Sequence, residues 1–292
     1  MILIIGGTGF VGKHLVERLR DTGKKIRCLV RSDKADYLSA SGIETVKGDI
    51  LDPASLDKAM IGCDAVIHLA GIWRADMKTY KAVHIQGTAN AVNAARKAGV
   101  KRFIYISAMG VSLGIRTGFY LTKGESENAV KKSGLDYTIF RPAVIIGKGD
   151  EFTTALVAMI KQAPVIPVIG SGQVKLQPLW VNDLVDCLIK ALDRPQTIGQ
   201  TYDIAGPDVL TYNQILDELM QVLELPRRKV FLPMFMVSPA ICMAEIFIRN
   251  LPITHDQLKI MSVDNVRDIS KTVKDFDLKQ TGFKTGIKNY LG

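Results

Sequence analysis

The sequence predicts an α/β fold: a doubly wound parallel sheet with a smaller, substrate-side C-terminal lobe interleaved with it. Three observations carry that prediction. The chain opens on an apolar strand that runs into a glycine-rich turn and an apolar-striped helix. Strand and helix patterns then alternate as far as Pro142, at the spacing of parallel-sheet units covered on both faces. Beyond Pro142 the alternation relaxes, with no internal repeat and no low-complexity linker. We therefore expect residues 1–150 to form the sheet core, with returning elements around 176–206, and residues 151–292 to form the smaller lobe.

Met1-Ile2-Leu3-Ile4-Ile5 is apolar and branched, as a short buried strand requires. Gly6-Gly7-Thr8-Gly9-Phe10-Val11-Gly12 follows, and Phe10, Val11, Leu15, Val16 and Leu19 form a helical stripe. Gly7, Gly9 and Gly12 fit G-x-G-x-x-G; Gly6, Gly9 and Gly12 fit G-x-x-G-x-x-G. Strand, glycine turn and helix together point to a dinucleotide site of the Rossmann type. The chemistry is one of backbone approach. Free N–H groups and the helix dipole favour an anion at the helix start. A side chain at Gly7 or Gly9 is expected to hold a pyrophosphate away from it.

Lys25-Ile26-Arg27-Cys28-Leu29-Val30 is the second strand, entered after the helix stop at Gly23. Its end governs cofactor choice. NAD sites place an acidic residue there for the ribose hydroxyls, whereas NADP sites tolerate or supply a cation. This chain has Arg31-Ser32-Asp33-Lys34, and a guanidinium fork suits a phosphate. NADP(H) is favoured; Asp33 keeps NAD(H) open.

Residues 43–47 make the third strand, followed by Gly48-Asp49-Ile50-Leu51-Asp52-Pro53. Asp49, at the strand end, is placed to accept from an adenine amino group. Asp52 and Pro53 read as a helix cap and first helical residue. Residues 64–71 are the fourth strand, ending Leu69-Ala70-Gly71, small where a backbone passes a cofactor. His68, inside that apolar strand, reads as a core imidazole. A helix spans 78–97, a strand 101–106 with Ser107 after it, a helix 122–133, and a strand 136–141 closed by Pro142. The glycine loop, Arg31, Asp49, Ala70, Ser107 and Arg141 all fall at or after strand ends, where open α/β sheets bind ligands.

Composition narrows the class. At 292 residues, with 47% hydrophobic and 23% charged residues, the chain is an ordinary globular protein. Cys28, Cys63, Cys187 and Cys242 form no C-x-x-C pair, which argues for a reducing compartment and against a zinc site or disulfide framework. The four histidines are too dispersed for a metal cluster, so no metal is expected. Met1 already begins the first strand, so no signal peptide is expected, and no uncharged apolar run is long enough to span a bilayer. A cytoplasmic protein follows. The net charge of +9 suits anionic partners, but the pattern lacks the stacked aromatics and basic repeats of a nucleic-acid binder.

Taken together, these residues resemble the short-chain dehydrogenase/reductases of the extended and atypical kind. The likeness rests on residues 6–12, Gly48-Asp49-Ile50-x-Asp52, His68-Leu69-Ala70-Gly71, Lys123 with Glu127, and Arg141-Pro142. It continues through Gln177-Pro178-Leu179-Trp180-Val181-Asn182-Asp183-Leu184 and Tyr202-Asp203-Ile204-Ala205-Gly206-Pro207. Pro252-Ile253-Thr254-His255-Asp256-Gln257-Leu258 and Asp264-Asn265-Val266 are similar to one subgroup, that of the nucleotide-binding accessory subunit of respiratory complex I. The resemblance covers nearly the whole chain.

It implies a Tyr four residues before a Lys, the Lys lowering the phenol's pKa and holding the nicotinamide ribose. Lys123 fits, but four residues before it stands Phe119. Tyr120 is one residue late, a rotation of roughly 100° on a helix. The family's catalytic Ser or Thr would fall on Ala108, with Ser107 one residue early. Two readings stay open. One is a cofactor-binding protein with weak or no dehydrogenase activity, in an accessory, assembly or sensing role near complex I or quinone metabolism. The other is an active oxidoreductase, or sugar-nucleotide-type epimerase or dehydratase, using Tyr120, Lys123 and Ser107.

In the second lobe, Thr211-Tyr212-Asn213-Gln214 carries a capping-box pattern and 165–169 a Pro/Gly-punctuated strand. Arg227-Arg228-Lys229 precedes the most apolar stretch outside the core strands, which runs to Arg249. A core helix over the substrate cleft is the plainer expectation for it. The alternative is a contact with a protein complex, or with the inner face of a membrane, through 227–249.

Overall fold

In the computed structural model, which describes residues 1–32, 38, 41–247 and 254–291, seven strands form one all-parallel sheet. Strands β1 (Ile2–Ile5), β2 (Ile26–Val30) and β3 (Glu44–Lys47) run outward on one side. The chain then crosses to the other side of β1 with β4 (Ala65–His68), β5 (Arg102–Ile106) and β6 (Asp136–Pro142). The last position is taken by β11 (Gln200–Ile204), giving the order β11-β6-β5-β4-β1-β2-β3. Strand order therefore reverses between β1 and β4, and Ile5 pairs in register with both Leu29 and His68. Gly6, Val30 and Leu69 come next along three adjacent strands, at the edge where such sheets bind ligands.

Leu3, Ile4, Ile67 and Ile104 are fully buried, because both faces of the sheet are covered. Leu3, Ile5, Val66, Phe103 and Tyr105 share one cluster with Leu56, Met60, Ala91, Ala95 and Val130. Those last five come from α2 (Pro53–Met60), α4 (Gly87–Lys97) and α5 (Gly118–Lys131). Alternate strand residues point the other way. There α1 (Phe10–Arg20) and α7 (Val181–Leu192) pack on each other.

Two helices differ from expectation. The helix expected over 78–97 contains a wider turn: α3 (Met77–Tyr80) runs through a π-helical segment, Lys81–Gln86, into α4. Helix α5 begins at Gly118, not Thr122. Gly118 lies under α3, where a Cβ would sit 3.1 Å from both Met77 and Tyr80. It is a packing glycine inside a helix, and the sequence pattern reads it as loop.

The chain divides into two units. The first is Met1–Pro142, Val181–Ile204 and Ile269–Lys279, and includes the short α11 (Ser270–Phe276). The second is Ala143–Trp180, Ala205–Asp268 and Gln280–Gly292. Its core gathers Ile160, Val168, Trp180, Ile215, Leu219 and Phe283 from β8 (Val165–Ile169), β10 (Leu179–Trp180) and helices α6 (Glu151–Gln162), α8 (Tyr212–Val222) and α12 (Phe283–Leu291). The capping box of Thr211 and Gln214 opens α8, as its spacing predicts.

In the same unit, β13 (Arg228–Leu232) pairs in parallel with β8 and leads into α9 (Met234–Phe247). A core position was the plainer expectation for this stretch. The structure corrects it: Val230, Phe231, Leu232, Phe235, Met236 and Met243 are exposed. Among the described residues, no helix is long and apolar enough to cross a membrane.

Candidate functional site

The glycine loop is built by close packing, and the four glycines are not equivalent. Gly6 has φ +92°, and a Cβ on it would lie 2.8 Å from Ala70 N. That ties the end of β1 to the end of β4. On Gly7 a Cβ would point inward, 2.9 Å from Cys28 Sγ. On Gly12 it would collide with Gly6 O at 2.2 Å. Gly9 differs: it is exposed, and its added Cβ would meet only Gly6 O, at 3.3 Å. The protein's own packing therefore explains Gly6, Gly7 and Gly12. Of the two glycines expected to face a pyrophosphate, Gly7 faces β2 and Gly9 faces outward.

Gly9 is also the N-cap of α1. Its backbone is extended (φ −75°, ψ 177°), no side chain caps the helix, and no acidic residue stands in the first turn. The initial N–H groups of a helix lack intrahelical acceptors, so this end is prepared for an anion. Thr8 is exposed and Val11 half-buried beside it. Phe10 sits edge-on to His14 at 5.5 Å. The residues present fit a dinucleotide pyrophosphate here.

Around this loop the expected residues divide. Arg31 and Ser32 follow β2 and are exposed; Asp33 and Lys34 lie outside the described residues. Asp49 is partly committed, because its Oδ1 accepts from Leu51 N at 2.8 Å. Ile50 is buried, with its side chain against Gly87 at the start of α4. Its carbonyl accepts from Asn90 Nδ2. It is core, not lining. Leu69 N donates to Ile5 O at 2.8 Å, and Ala70 follows against Gly6. Gly71 is exposed, and a Cβ there would lie 3.1 Å from Lys123 Nζ.

Lys123 is buried on α5. Its Nζ donates to Ile106 O at 2.9 Å and lies 5.0 Å from the centre of the Tyr105 ring. Burial pushes its pKa down to about 8, with Glu127 opposing. The ammonium thus lies beneath the β4-end loop, at the carboxyl ends of β4 and β5.

The proton-handling candidates are placed differently. Tyr120 is buried, its ring pressed on Gly110, where a Cβ would be only 2.3 Å from Tyr120 Cζ. Burial pushes its phenol up to about 12, opposite to what an acid beside a lysine needs. Tyr120 is packed, not poised. Ser107 N donates to Phe140 O at 2.7 Å. Its buried Oγ makes no hydrogen bond of normal geometry but lies close enough to Glu127 to help lower that carboxyl's pKa. Arg141 forks onto Glu127, Nε to Oε1 at 2.7 Å and Nη2 to Oε2 at 2.6 Å. Burial would raise Glu127, but Arg141, Ser107 and Lys131 outweigh it and hold the carboxyl below its usual range. Arg141, read from sequence as cofactor-binding, is an internal strut. Pro142 is a buried residue of β6 paired with β11.

Phe119 fills the place one turn before Lys123. Trp73, Tyr80, His84 and Tyr120 surround it, with ring centres between 4.8 and 6.2 Å away. Sequence reasoning missed His84 altogether. It lies in the π-helical segment, accepts from Ile72 N at its Nε2 (3.2 Å) and meets Thr122 Oγ1 at its Nδ1 (2.9 Å). Because Nε2 accepts, the proton sits on Nδ1. Burial and the nearby Lys123 push its pKa down to about 3, so the ring is neutral. His84 clamps the β4-end loop to α5. Tyr80 Oη donates to Trp73 O at 2.7 Å and fixes the same loop further along. The signal for both was a histidine and a tyrosine one helical turn apart, and it shows only once the loop is folded over them.

A family described as NAD(P)H-binding matches residues 6–166, and the chain belongs to it. Among curated proteins, NADH dehydrogenase (ubiquinone) 1 alpha subcomplex subunit 9, mitochondrial, of Arabidopsis thaliana is 26% identical, over 91% of this chain and 69% of that one. Ceramide reductase of Caulobacter vibrioides is 31% identical, over 80% of this chain and 74% of that one. Among solved structures, an epimerase of Methanothermobacter thermautotrophicus superposes with a TM-score of 0.81 at 19% identity, over 99% and 90% of the two chains. That last likeness shows a shared fold.

Proposed function

We propose that this protein binds NADP(H) in the cradle of the glycine loop and uses it as a structural or sensing ligand, with weak or no ordinary dehydrogenase activity. The reading extends to an accessory or assembly role beside respiratory complex I or quinone metabolism, on the cytoplasmic side of a membrane. One observation carries it: a complete anion cradle and a buried Lys123 stand beside Phe119, which has no exchangeable proton and is enclosed by aromatic rings. The dinucleotide, when bound, supplies a hydride. The residues that would hold it are Gly9 and the first turn of α1, Arg31 and Ser32, Ala70 and Gly71, and Lys123. The one acid among them that titrates near neutral pH is the Lys123 ammonium, which donates to Ile106 O, and no phenol stands one turn before it; general acid help is typically worth roughly 10²–10⁴-fold. Preference for NADP rests on Arg31 at the end of β2. The subunit-like relative supports the accessory role; the reductase relative supports turnover; Phe119 weighs for the former.

Titration with NADPH and NADH, followed by a test of hydride consumption with carbonyl and quinone acceptors, checks this reading. Tight NADPH binding with little turnover, unchanged in Tyr120→Phe, is expected. Phe119→Tyr places a phenol one turn before Lys123 and is expected to raise carbonyl reduction by about 10²-fold or more. Turnover in the parent protein that collapses in Tyr120→Phe would overturn it and support the oxidoreductase or epimerase reading.

A further inference from the structure

We propose that β13 and α9 form a face that docks on an anionic lipid bilayer. The proposal takes the peripheral contact of residues 227–249 further and stands apart from the nucleotide reading. In α9 the exposed positions are Phe235, Met236, Pro239, Cys242 and Met243, while Met234, Val237, Ser238 and Ile241 are half-buried. The exposed set recurs at i, i+1, i+4, i+7 and i+8, which is one face of a helix. Phe235 is 77% exposed, Met236 62% and Met243 64%. A water-facing helix normally turns its polar side outward; here, among the described side chains, the outward stripe is apolar apart from the Cys242 thiol, which lies against His255. Strand β13 continues the surface with Val230, Phe231 and Leu232.

The chemistry of this face favours lipid over protein. The stretch offers neither Trp nor Tyr, which with Arg anchor most protein interfaces. From residue 226 to the end of α9 at Phe247 the sequence carries three cations, Arg227, Arg228 and Lys229, against one anion, Glu245. Lys229 is neutralised by Asp217 at 2.7 Å, which anchors the strand. Arg227 gives its Nε to Ile160 O, and Arg228 is exposed at the start of β13. The cationic start of β13 beside the apolar stripe of α9 suits a negatively charged interface. With its 14 residues, α9 is about 21 Å long, too short to cross the hydrocarbon core, so it lies along the surface.

The test is co-flotation of the full chain with phosphatidylcholine vesicles, with and without phosphatidylglycerol. Binding is expected to the anionic vesicles, to weaken with salt, and to fall roughly tenfold or more in Phe235→Gln/Met236→Gln. Arg228→Gln is expected to lower binding to anionic vesicles several-fold (~3-fold) and to leave neutral vesicles unaffected. Thermal melting and NADPH titration of the same variants, expected to be unchanged, report folding and the nucleotide reading separately. Failure to bind anionic vesicles, or binding that the double variant retains, overturns the proposal. So does self-association that the double variant abolishes in a protein that ignores vesicles; the face is then an interface between copies.

Discussion

Gly6, Gly7, Gly9 and Gly12 look alike in the sequence, but the folded protein uses them for different ends. Gly12 is demanded by the turn itself, since its missing Cβ lies on Gly6 O and on the Gly7 backbone. Gly9 is far less crowded, since its added Cβ would meet only Gly6 O, at 3.3 Å, and a shift of a few tenths of an ångström relieves it. The two alanine variants should therefore separate stability from binding. Gly12→Ala must displace backbone and is expected to destabilise by roughly 1–3 kcal/mol. Gly9→Ala is expected to melt within a degree or two of the parent, yet to bind NADPH at least tenfold more weakly, about 1.4 kcal/mol. Melting and nucleotide titration of both variants check this. Unchanged affinity in Gly9→Ala would move the pyrophosphate away from this helix end. Sequence spacing located the loop; only the surrounding atoms of Cys28, Ala70 and Gly6 say which glycine faces outward.

At the scale of elements, β1, β2 and β4 to β6 were legible because buried parallel strands are near-continuous apolar runs. The caps of α2 and α8 were legible because a capping side chain acts on neighbours in sequence. The π-helical segment was not, since nothing in Lys81–Gln86 breaks a helical pattern. Its reason is tertiary: it lies opposite Thr122 and the Gly71–Ile72 loop, where His84 bridges the two. Such wide turns recur at functional sites. The start of α5 was missed for a related reason, because Gly118 is chosen by Met77 and Tyr80 above it. The exposed stripe on α9 was misjudged because apolar residues are read as core unless the fold says otherwise. One outcome belongs to this scale. His84→Ala removes the acceptor of Ile72 N–H and the partner of Thr122, and is expected to cost about 1–3 kcal/mol. Hydrogen exchange should quicken at Ile72 while the β1 and β4 amides keep their protection. Loss of protection throughout the sheet would instead make His84 a general core residue.

For the whole molecule, the same imidazoles set the response to acid. His68 is fully buried in β4, its Nε2 3.1 Å from Thr88 Oγ1, and its ring sits edge-on to Phe103. Burial, with Lys123 adding to it, holds His68 at a pKa of about 3, as it does His84. In the unfolded chain both titrate near the ordinary 6.5. Between those values the unfolded state binds more protons, so the stabilisation is complete above about pH 6.5 and is lost as pH falls toward 3. Each histidine removes roughly 1.4 kcal/mol per pH unit across that window. Two together make a slope near 3 kcal/mol per unit, large against the 5–15 kcal/mol that holds a typical domain. The basic excess of +9 acts in the same direction, because the repulsion grows as carboxylates protonate. Both histidines belong to the unit that carries the glycine loop, so acid should release bound nucleotide together with that fold. Urea unfolding at matched salt is expected to show a falling midpoint from pH 6.5 downward, with the slope roughly halved in His84→Gln. A midpoint that stays flat to pH 5 would mean that water or a rearranged loop reaches these rings and protonates them in place.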